Sequence, residues 1–134
     1  MIRIVKRDIS VLSIYPNQLL NELNYFNRGK SMPTFKLIEI AETKQRLENE
    51  EAVLVDTRDA QSYAEDHAEG AFNLNNDTLK EFVDKVEFDT PIFVVCYHGN
   101  SSKGVAQYLA EQGYKDTYSV EGGMVMWRQL FPMK

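Results

Sequence analysis

From residue 35 onward the chain alternates short apolar runs with amphipathic segments, a pattern typical of a parallel α/β domain. Two runs, AVLVD and PIFVV, are too apolar for strands with a solvent-facing side, so they predict buried central strands at residues 52–56 and 91–95. Other apolar runs predict three more strands, at residues 35–40, 71–74 and 116–120. The segments between predict helices at residues 41–50, 59–67, 76–86, 101–113 and 123–131. This order predicts an open, doubly wound sheet of about five parallel strands with helices on both faces.

Polar residues at the predicted helix starts are candidate N-caps, because their side chains can accept hydrogen bonds from unpaired backbone N–H groups. Asp59 is expected to cap the second helix, and Asn76 or Asp77 to open the third. Ser101 or Ser102 is expected to cap the fourth.

Residues 1–34 precede this pattern and are expected to form an N-terminal extension to a domain at residues 35–134. Residues 16–26, PNQLLNELNYF, can form an amphipathic helix that packs on the domain or binds a partner or a membrane surface. An equal alternative is that translation naturally begins at Met32 and that residues 1–31 are not native.

The composition limits the possible functions. A chain of 134 residues with 43% hydrophobic content is expected to form one domain with a substantial core. Its net charge of -5 and the lack of a basic, aromatic-rich motif argue against nucleic acid as a partner. The apolar runs are far shorter than the roughly 18 residues of a membrane-spanning helix, and the N-terminus lacks a signal-peptide pattern. We therefore expect a cytoplasmic protein with no integral membrane segment.

Cys96 is the one cysteine of the chain. It excludes an internal disulfide, a CxxC redox pair and a thiolate zinc site, and two separated histidines do not supply a metal site instead. No metal is expected, and any thiol chemistry must use one sulfur and an external partner.

Cys96 closes a predicted central strand, and the following segment, YHGNSSKG, turns into a helix. Ligands of such sheets bind outside the carboxyl ends of the strands, and a helix N-terminus carries about half a positive charge. That environment lowers a thiol pKa and attracts anions, while Gly99 and Asn100 suit a tight turn. A lone cysteine ending an apolar strand is more often a small buried hydrophobe, but this loop favours a nucleophile.

Four motifs in order resemble those of the rhodaneses, the thiosulfate sulfurtransferases, and most closely the short single-domain bacterial enzymes. VLVDTRD resembles the family's strand-end D-x-R, and DHAEGAFNL its H-x-x-G-A-x-x-L segment. CYHGNSS is similar to the active-site loop, and GYKDTYSVEGGMVMW to the G-G-…-W ending. They lie at residues 53–59, 66–74, 96–102 and 113–127, and the likeness extends over about residues 38–132.

The resemblance implies a two-step sulfur transfer through Cys96. The thiolate would take the sulfane sulfur of thiosulfate, release sulfite and become a persulfide; the sulfur then passes to a thiophilic acceptor, either cyanide or a dithiol such as thioredoxin. No metal or organic cofactor is implied. The loop that would hold the persulfide and the developing anion comprises Tyr97, His98, Gly99, Asn100, Ser101 and Ser102.

Three charged residues are candidates for supporting this site. Asp56 and Arg58 could form an ion pair that fixes the end of the strand, a role that we favour over substrate contact by Arg58. Lys103 follows the loop and either adds positive potential or is a solvated surface residue.

The remaining motif residues are expected to be structural. For His98 we favour a surface or docking role over a general base, and for His67 a hydrogen bond within a turn. Gly122 and Gly123 are expected to satisfy the backbone of a turn, and Trp127 to lie in the core.

The same predicted fold and cysteine loop are compatible with other functions. Cell-cycle dual-specificity phosphatases and related arsenate reductases share the fold, but their Cys-x5-Arg loop clamps an oxyanion with arginine, and here that position is Ser102. A persulfide carrier with a protein sulfur donor, and a module that only binds a partner, remain open, as does a weak homodimer.

Overall fold

A computed structural model of the protein describes residues 33–134, so the helix predicted at residues 16–26 lies outside the described part. Five strands and five helices alternate along these residues. They are β1 (Lys36–Ile38), α1 (Ile40–Asn49), β2 (Val53–Asp56), α2 (Ala60–Glu65), β3 (Phe72–Asn73), α3 (Leu79–Lys85), β4 (Ile92–Val95), α4 (Ser101–Glu111), β5 (Thr117–Val120) and α5 (Gly123–Leu130).

The strands form one parallel sheet in the order β1-β5-β4-β2-β3. β4 is the middle strand, paired with β2 on one side and β5 on the other. Asp56 at the end of β2 lies level with Val95 at the end of β4. The predicted fold class is confirmed, and the residues that follow β2, β4 and β5 meet at one edge of the sheet.

Two apolar cores cover the two faces of the sheet. Phe93 and Val95 of β4 pack in one core, together with residues of α1 and α5. Ile92 and Val94 pack in the other, with residues of α3 and α4. Successive side chains of a strand point to opposite faces, so the fully apolar β4 requires this cover on both sides.

The first predicted strand, residues 35–40, is longer than the observed β1. The strand ends at Ile38 because Glu39 is the N-cap of α1 and Ile40, which is buried, is the first residue of that helix. The apolar run thus contributes residues to both β1 and the start of α1.

The prediction that Asn76 or Asp77 opens the third helix is wrong. The helix begins at Leu79 with Thr78 as its N-cap. The side chain of Asn75 accepts hydrogen bonds from the backbone N–H groups of Asp77 and Thr78, at 2.8 and 3.1 Å. This local turn competes with helical hydrogen bonding, so the helix begins later in the sequence than predicted.

The predicted cap of α2 is confirmed, since the side chain of Asp59 accepts a hydrogen bond from the Ser62 backbone N–H at 2.8 Å. The predicted serine cap of α4 is wrong. The N-cap there is Asn100, which makes no side-chain capping bond, and Ser101 and Ser102 lie inside the first turn.

No helix within residues 33–134 is long and apolar enough to cross a membrane. The same residues contain no cluster of three or more histidine, cysteine or acidic side chains able to hold a metal ion.

Candidate active site

Cys96 directly follows the buried strand β4, and the residue is 3% exposed. Four residues separate it from the start of α4 at Ser101. The packing of β4 on both faces therefore fixes the sulfur at the carboxyl edge of the sheet, in front of a helix N-terminus.

The cysteine sulfur is surrounded by hydrogen-bond donors. The backbone N–H groups of Gly99 and Ser102 each donate to Sγ at 3.2 Å, and the Ser102 hydroxyl lies 3.3 Å from it. Burial alone would raise the pKa of the Cys96 thiol, but hydrogen bonds from Ser101, Ser102 and the two amides outweigh it and lower the pKa to about 7. A large fraction of the sulfur is thus thiolate at neutral pH.

The loop turns sharply at Gly99, whose φ of 95° is rarely adopted by other residues. A Cβ at this position would lie 3.1 Å from the backbone nitrogen of Gly122. Close approach of the two backbones therefore requires glycine here as much as the turn does.

The start of α5 holds the cysteine loop from the other side. The backbone N–H groups of Met124 and Val125 donate to the carbonyl oxygens of Cys96 and Tyr97, at 2.7 and 3.0 Å. At Gly123, where φ is 61°, a Cβ would collide with both of these carbonyl groups. The glycine pair was predicted to satisfy the backbone of a turn, and both residues have positive φ. Gly123 in addition allows α5 to contact the loop.

Substitution of Gly123 by alanine should therefore destabilise the domain and disturb the cysteine loop. Positive φ costs about 1 kcal/mol for alanine, and overpacking against fixed backbone adds roughly 1–3 kcal/mol. Urea unfolding measures the total loss of stability, and the rate of Cys96 alkylation at neutral pH, which should fall, reports the displaced amide donors.

Gly70→Ala is the matched control. Gly70 also has positive φ, 81°, but a Cβ there would meet no atom within 4 Å. We expect Gly70→Ala to lose only the stability that positive φ costs, about 1 kcal/mol. The rate of Cys96 alkylation should stay unchanged. Equal losses from the two variants would contradict the role given to close packing at Gly123.

The ion pair predicted between Asp56 and Arg58 is present and buried, with the two side chains 0% and 1% exposed. Arg58 donates to the Asp56 carboxylate through Nε at 3.1 Å and Nη2 at 2.8 Å, and through Nη2 to the Asp66 carbonyl at 2.7 Å. Burial alone would lower the Arg58 pKa, but the bonds to Asp56 and its charge leave the pKa above its ordinary value. Asn73 donates to the carbonyls of Asp56 and Arg58 and completes the network.

A cavity of about 240 Å³ lies beside Tyr97, the residue after the cysteine. The Tyr97 hydroxyl hydrogen-bonds to the Ser62 Oγ at 2.8 Å, and the Arg58 guanidinium lies 5.4 Å from the Tyr97 ring centroid. Arg128 pairs with Asp66 at 3.1 Å. The cavity is lined by Arg58, Ser62, Glu65, Asp66, Tyr97, Val125 and Arg128.

The structure places the other predicted residues as follows. His67 interacts through Nδ1 with the Tyr63 carbonyl at 2.9 Å and stacks on the Tyr63 ring, as its structural role predicts. His98 and Lys103 are exposed, and Trp127 is buried in the core. Within the predicted binding loop, Tyr97, Asn100 and Ser101 also have exposed side chains.

Ser119 is a residue of this region that the sequence pattern did not single out. It lies on β5, is fully buried, and its Oγ is 2.7 Å from the Ser102 Oγ. The pattern DTYSV identified it only as a position in a strand.

A parallel α/β sheet with a cysteine in an amide-lined loop after its middle strand is an arrangement that suits chemistry at one sulfur atom. The comparisons with known proteins agree. A family model described as "Rhodanese-like domain" matches residues 39–130, and the chain belongs to this family. The family includes sulfurtransferases. Membership of the family therefore supports a cysteine-based sulfur transfer or a related activity for this chain.

Solved structures give the same fold. A rhodanese-like domain protein from Staphylococcus aureus is 30% identical, with 69% of this chain and 91% of that chain covered and a TM-score of 0.61. The reduced CoADR-RHD of Bacillus anthracis is 26% identical, with a TM-score of 0.62; the match covers 73% of this chain but only 17% of that protein. A rhodanese-related protein from Thermoplasma volcanium, 23% identical, shares the fold over 75% of this chain and 98% of its own, with a TM-score of 0.62.

Proposed function

We propose that this protein is a thiosulfate sulfurtransferase that works through a persulfide on Cys96. The thiolate attacks the outer sulfur of thiosulfate, the new Sγ–S bond forms, and the S–S bond of thiosulfate breaks as sulfite leaves with the electron pair. Cyanide then takes the outer sulfur as thiocyanate and returns Cys96 to a thiolate. This is covalent catalysis by double displacement.

The observation that carries the proposal is the donor set around the sulfur. The N–H groups of Gly99 and Ser102, together with the Ser102 hydroxyl, surround Sγ at 3.2–3.3 Å. Such fixed dipoles stabilise a thiolate, and they are suited to the anion that develops on an added sulfur. Because the pKa of Cys96 is about 7, no general base is needed to ionise it.

The residue at Ser102 favours sulfur transfer over phosphate chemistry. Phosphatases with this loop need an arginine six positions after the cysteine to clamp a tetrahedral oxyanion. Here that position holds a fully buried serine whose hydroxyl oxygen lies 3.3 Å from the sulfur. Arg58, a buried arginine beside the loop, is already bonded to Asp56 and Asp66, so we assign it a supporting structural role.

The sulfur acceptor in the cell is proposed to be a dithiol such as thioredoxin. One of its thiols takes the outer sulfur, and the second displaces that sulfur as hydrosulfide while a disulfide forms. The exposed face of the loop, from Tyr97 to Ser101, is available for this contact, and exposed Lys103 adds positive potential for the anionic donor. We place this activity in the domain of residues 35–134 and in the cytoplasm, where a lone thiol stays reduced.

Intact mass spectrometry after incubation with thiosulfate tests the proposal. The protein should gain the mass of one sulfur atom at Cys96, and cyanide should remove it with formation of thiocyanate. Steady-state rates with thiosulfate and cyanide should give parallel lines in a double-reciprocal plot, as double displacement requires.

Two results would contradict this function. If the mass increases only with a persulfide-bearing donor protein and never with thiosulfate, the domain is a persulfide carrier. Release of phosphate from p-nitrophenyl phosphate at a rate that depends on Cys96, with no gain of sulfur, would favour the phosphatase alternative.

A further inference from the structure

The hydroxyl that faces the cysteine sulfur leads to a second buried hydroxyl. Ser102 Oγ lies 3.3 Å from Sγ of Cys96 and 2.7 Å from Oγ of Ser119. Ser102 and Ser119 are both 0% exposed, and no other hydrogen bond of the Ser119 hydroxyl is recorded within residues 33–134. The three side-chain atoms therefore form a short, buried hydrogen-bonded chain that ends on β5.

The number of hydrogens shared among these three atoms depends on the charge of the sulfur. A thiol at Cys96 places three hydrogens, one each on the sulfur and the two serine oxygens, along only two contacts. One buried donor is then left without an acceptor in the chain, which is unfavourable. A thiolate leaves two hydrogens for two contacts, so Ser119 donates to Ser102 and Ser102 donates to the sulfur. The geometry thus matches the thiolate better than the thiol.

We propose that Ser119 is a positioning residue, which directs the hydroxyl hydrogen of Ser102 at the Cys96 sulfur and so favours the thiolate. It acts through Ser102 and touches neither the sulfur nor a substrate. Its consequence for sulfur transfer rests on the proposed function of Cys96, whereas its effect on the thiol does not.

Charged and titratable groups of the surrounding elements do not replace this contact. The loop carries His98, α4 carries Lys103, and the turn before α5 carries Glu121, all three with exposed side chains. At the end of β2, Asp56 and Arg58 are paired with each other. None of them has a recorded hydrogen bond or ion pair to either serine within the described residues. The contacts that reach the sulfur come from neutral groups.

The pH dependence of iodoacetamide alkylation tests this role, and the signal is unambiguous because Cys96 is the one cysteine. In Ser119→Ala the Ser102 hydroxyl is free to turn away, so the thiolate loses a donor and its pKa rises. We expect a shift of roughly half to one unit, which corresponds to one net hydrogen bond. Alkylation at neutral pH should slow severalfold, and Ser119→Thr, which keeps the hydroxyl, should restore the profile.

Thr117→Val is the matched control. Thr117 is buried on the same strand and face as Ser119, but its Oγ1 has no hydrogen-bond partner among the described residues. Loss of this hydroxyl should leave the pH profile of Cys96 unchanged. An equal shift in this variant would show a general effect of strand perturbation and would overturn the proposal.

A double variant separates action through Ser102 from direct action on the sulfur. Once Ser102→Ala has removed the intermediate hydroxyl, adding Ser119→Ala should cause no further shift in the pKa of Cys96. A full second shift, or an unchanged profile in Ser119→Ala alone, would overturn the proposal. Because alkylation needs no sulfur donor, these results hold whether or not thiosulfate is a substrate.

Discussion

Replacement of Cys96 by serine should abolish sulfur transfer while the domain stays folded. A serine hydroxyl is not ionised at neutral pH and cannot carry a sulfane sulfur, so loss of the nucleophile should lower kcat/KM by roughly a thousandfold or more. The N–H groups of Gly99 and Ser102 would still face an oxygen acceptor, so unfolding free energy should change by about 1 kcal/mol or less. Thiocyanate formation measures the first effect and urea unfolding the second.

Thr117→Val again supplies the comparison, because it changes a buried polar side chain in the adjacent strand outside the site. It should keep both activity and stability. If Cys96→Ser still gained sulfur from thiosulfate, another group would be the nucleophile. If the variant unfolded, its loss of activity would say nothing of mechanism, and Cys96→Ala would be needed to separate the two effects.

The position of the cysteine at the centre of the sheet was predictable because the signals there are local and strong. Four consecutive apolar residues, Ile92–Val95, three of them β-branched, are typical of a strand covered on both faces, and the structure shows such a strand. The glycine and serine residues after Cys96 then indicate a turn into a helix. The ends of elements were less predictable, since single side chains such as Asn75 decide between a turn and a helix.

The contacts that complete the site could not be predicted, because they join residues far apart in the sequence. Ser119 contacts Ser102, seventeen residues away, only because β5 lies next to β4 in the sheet. The role of Gly123 in a turn was predicted and agrees with its φ of 61°, but its sequence context does not show that a Cβ there would collide with the Cys96 and Tyr97 carbonyl groups. A strand pattern gives the face of a residue, but the order of strands comes from the whole fold.

The contacts of the Asp56–Arg58 pair were predictable only in part. The spacing D-x-R at a strand end was sufficient to predict the ion pair, which is observed. It was not sufficient to predict that Arg58 also bonds the Asp66 carbonyl and lies over the Tyr97 ring. Through these contacts the pair joins β2, the segment after α2 and the cysteine loop.

Asp56→Ala should therefore be strongly destabilising. The substitution leaves the Arg58 guanidinium, 1% exposed, with only the longer ion pair to the partly exposed Asp66 carboxylate at 3.8 Å, and removal of the close partner of a buried charge costs about 3–5 kcal/mol. The backbone N–H of Arg58, which donates to Asp56 at 2.9 Å, also loses its acceptor. Urea unfolding should show a much lower midpoint. Alkylation of Cys96 in the folded fraction should change too, because Arg58 lies over the ring of the adjacent Tyr97.

The double variant Asp56→Ala/Arg58→Met distinguishes a buried charge that has lost its close partner from a simple loss of packing. Removal of both charges should recover much of the lost stability, because a buried ion pair replaced by apolar groups is often nearly neutral. Asp84→Ala provides the exposed comparison: its bond to Lys80 at 2.9 Å joins two solvent-exposed side chains, so its loss should hardly move the midpoint. If the double variant were no more stable than Asp56→Ala, the cost would lie in the lost hydrogen bonds and packing of the strand end, and the buried charge would not be its cause.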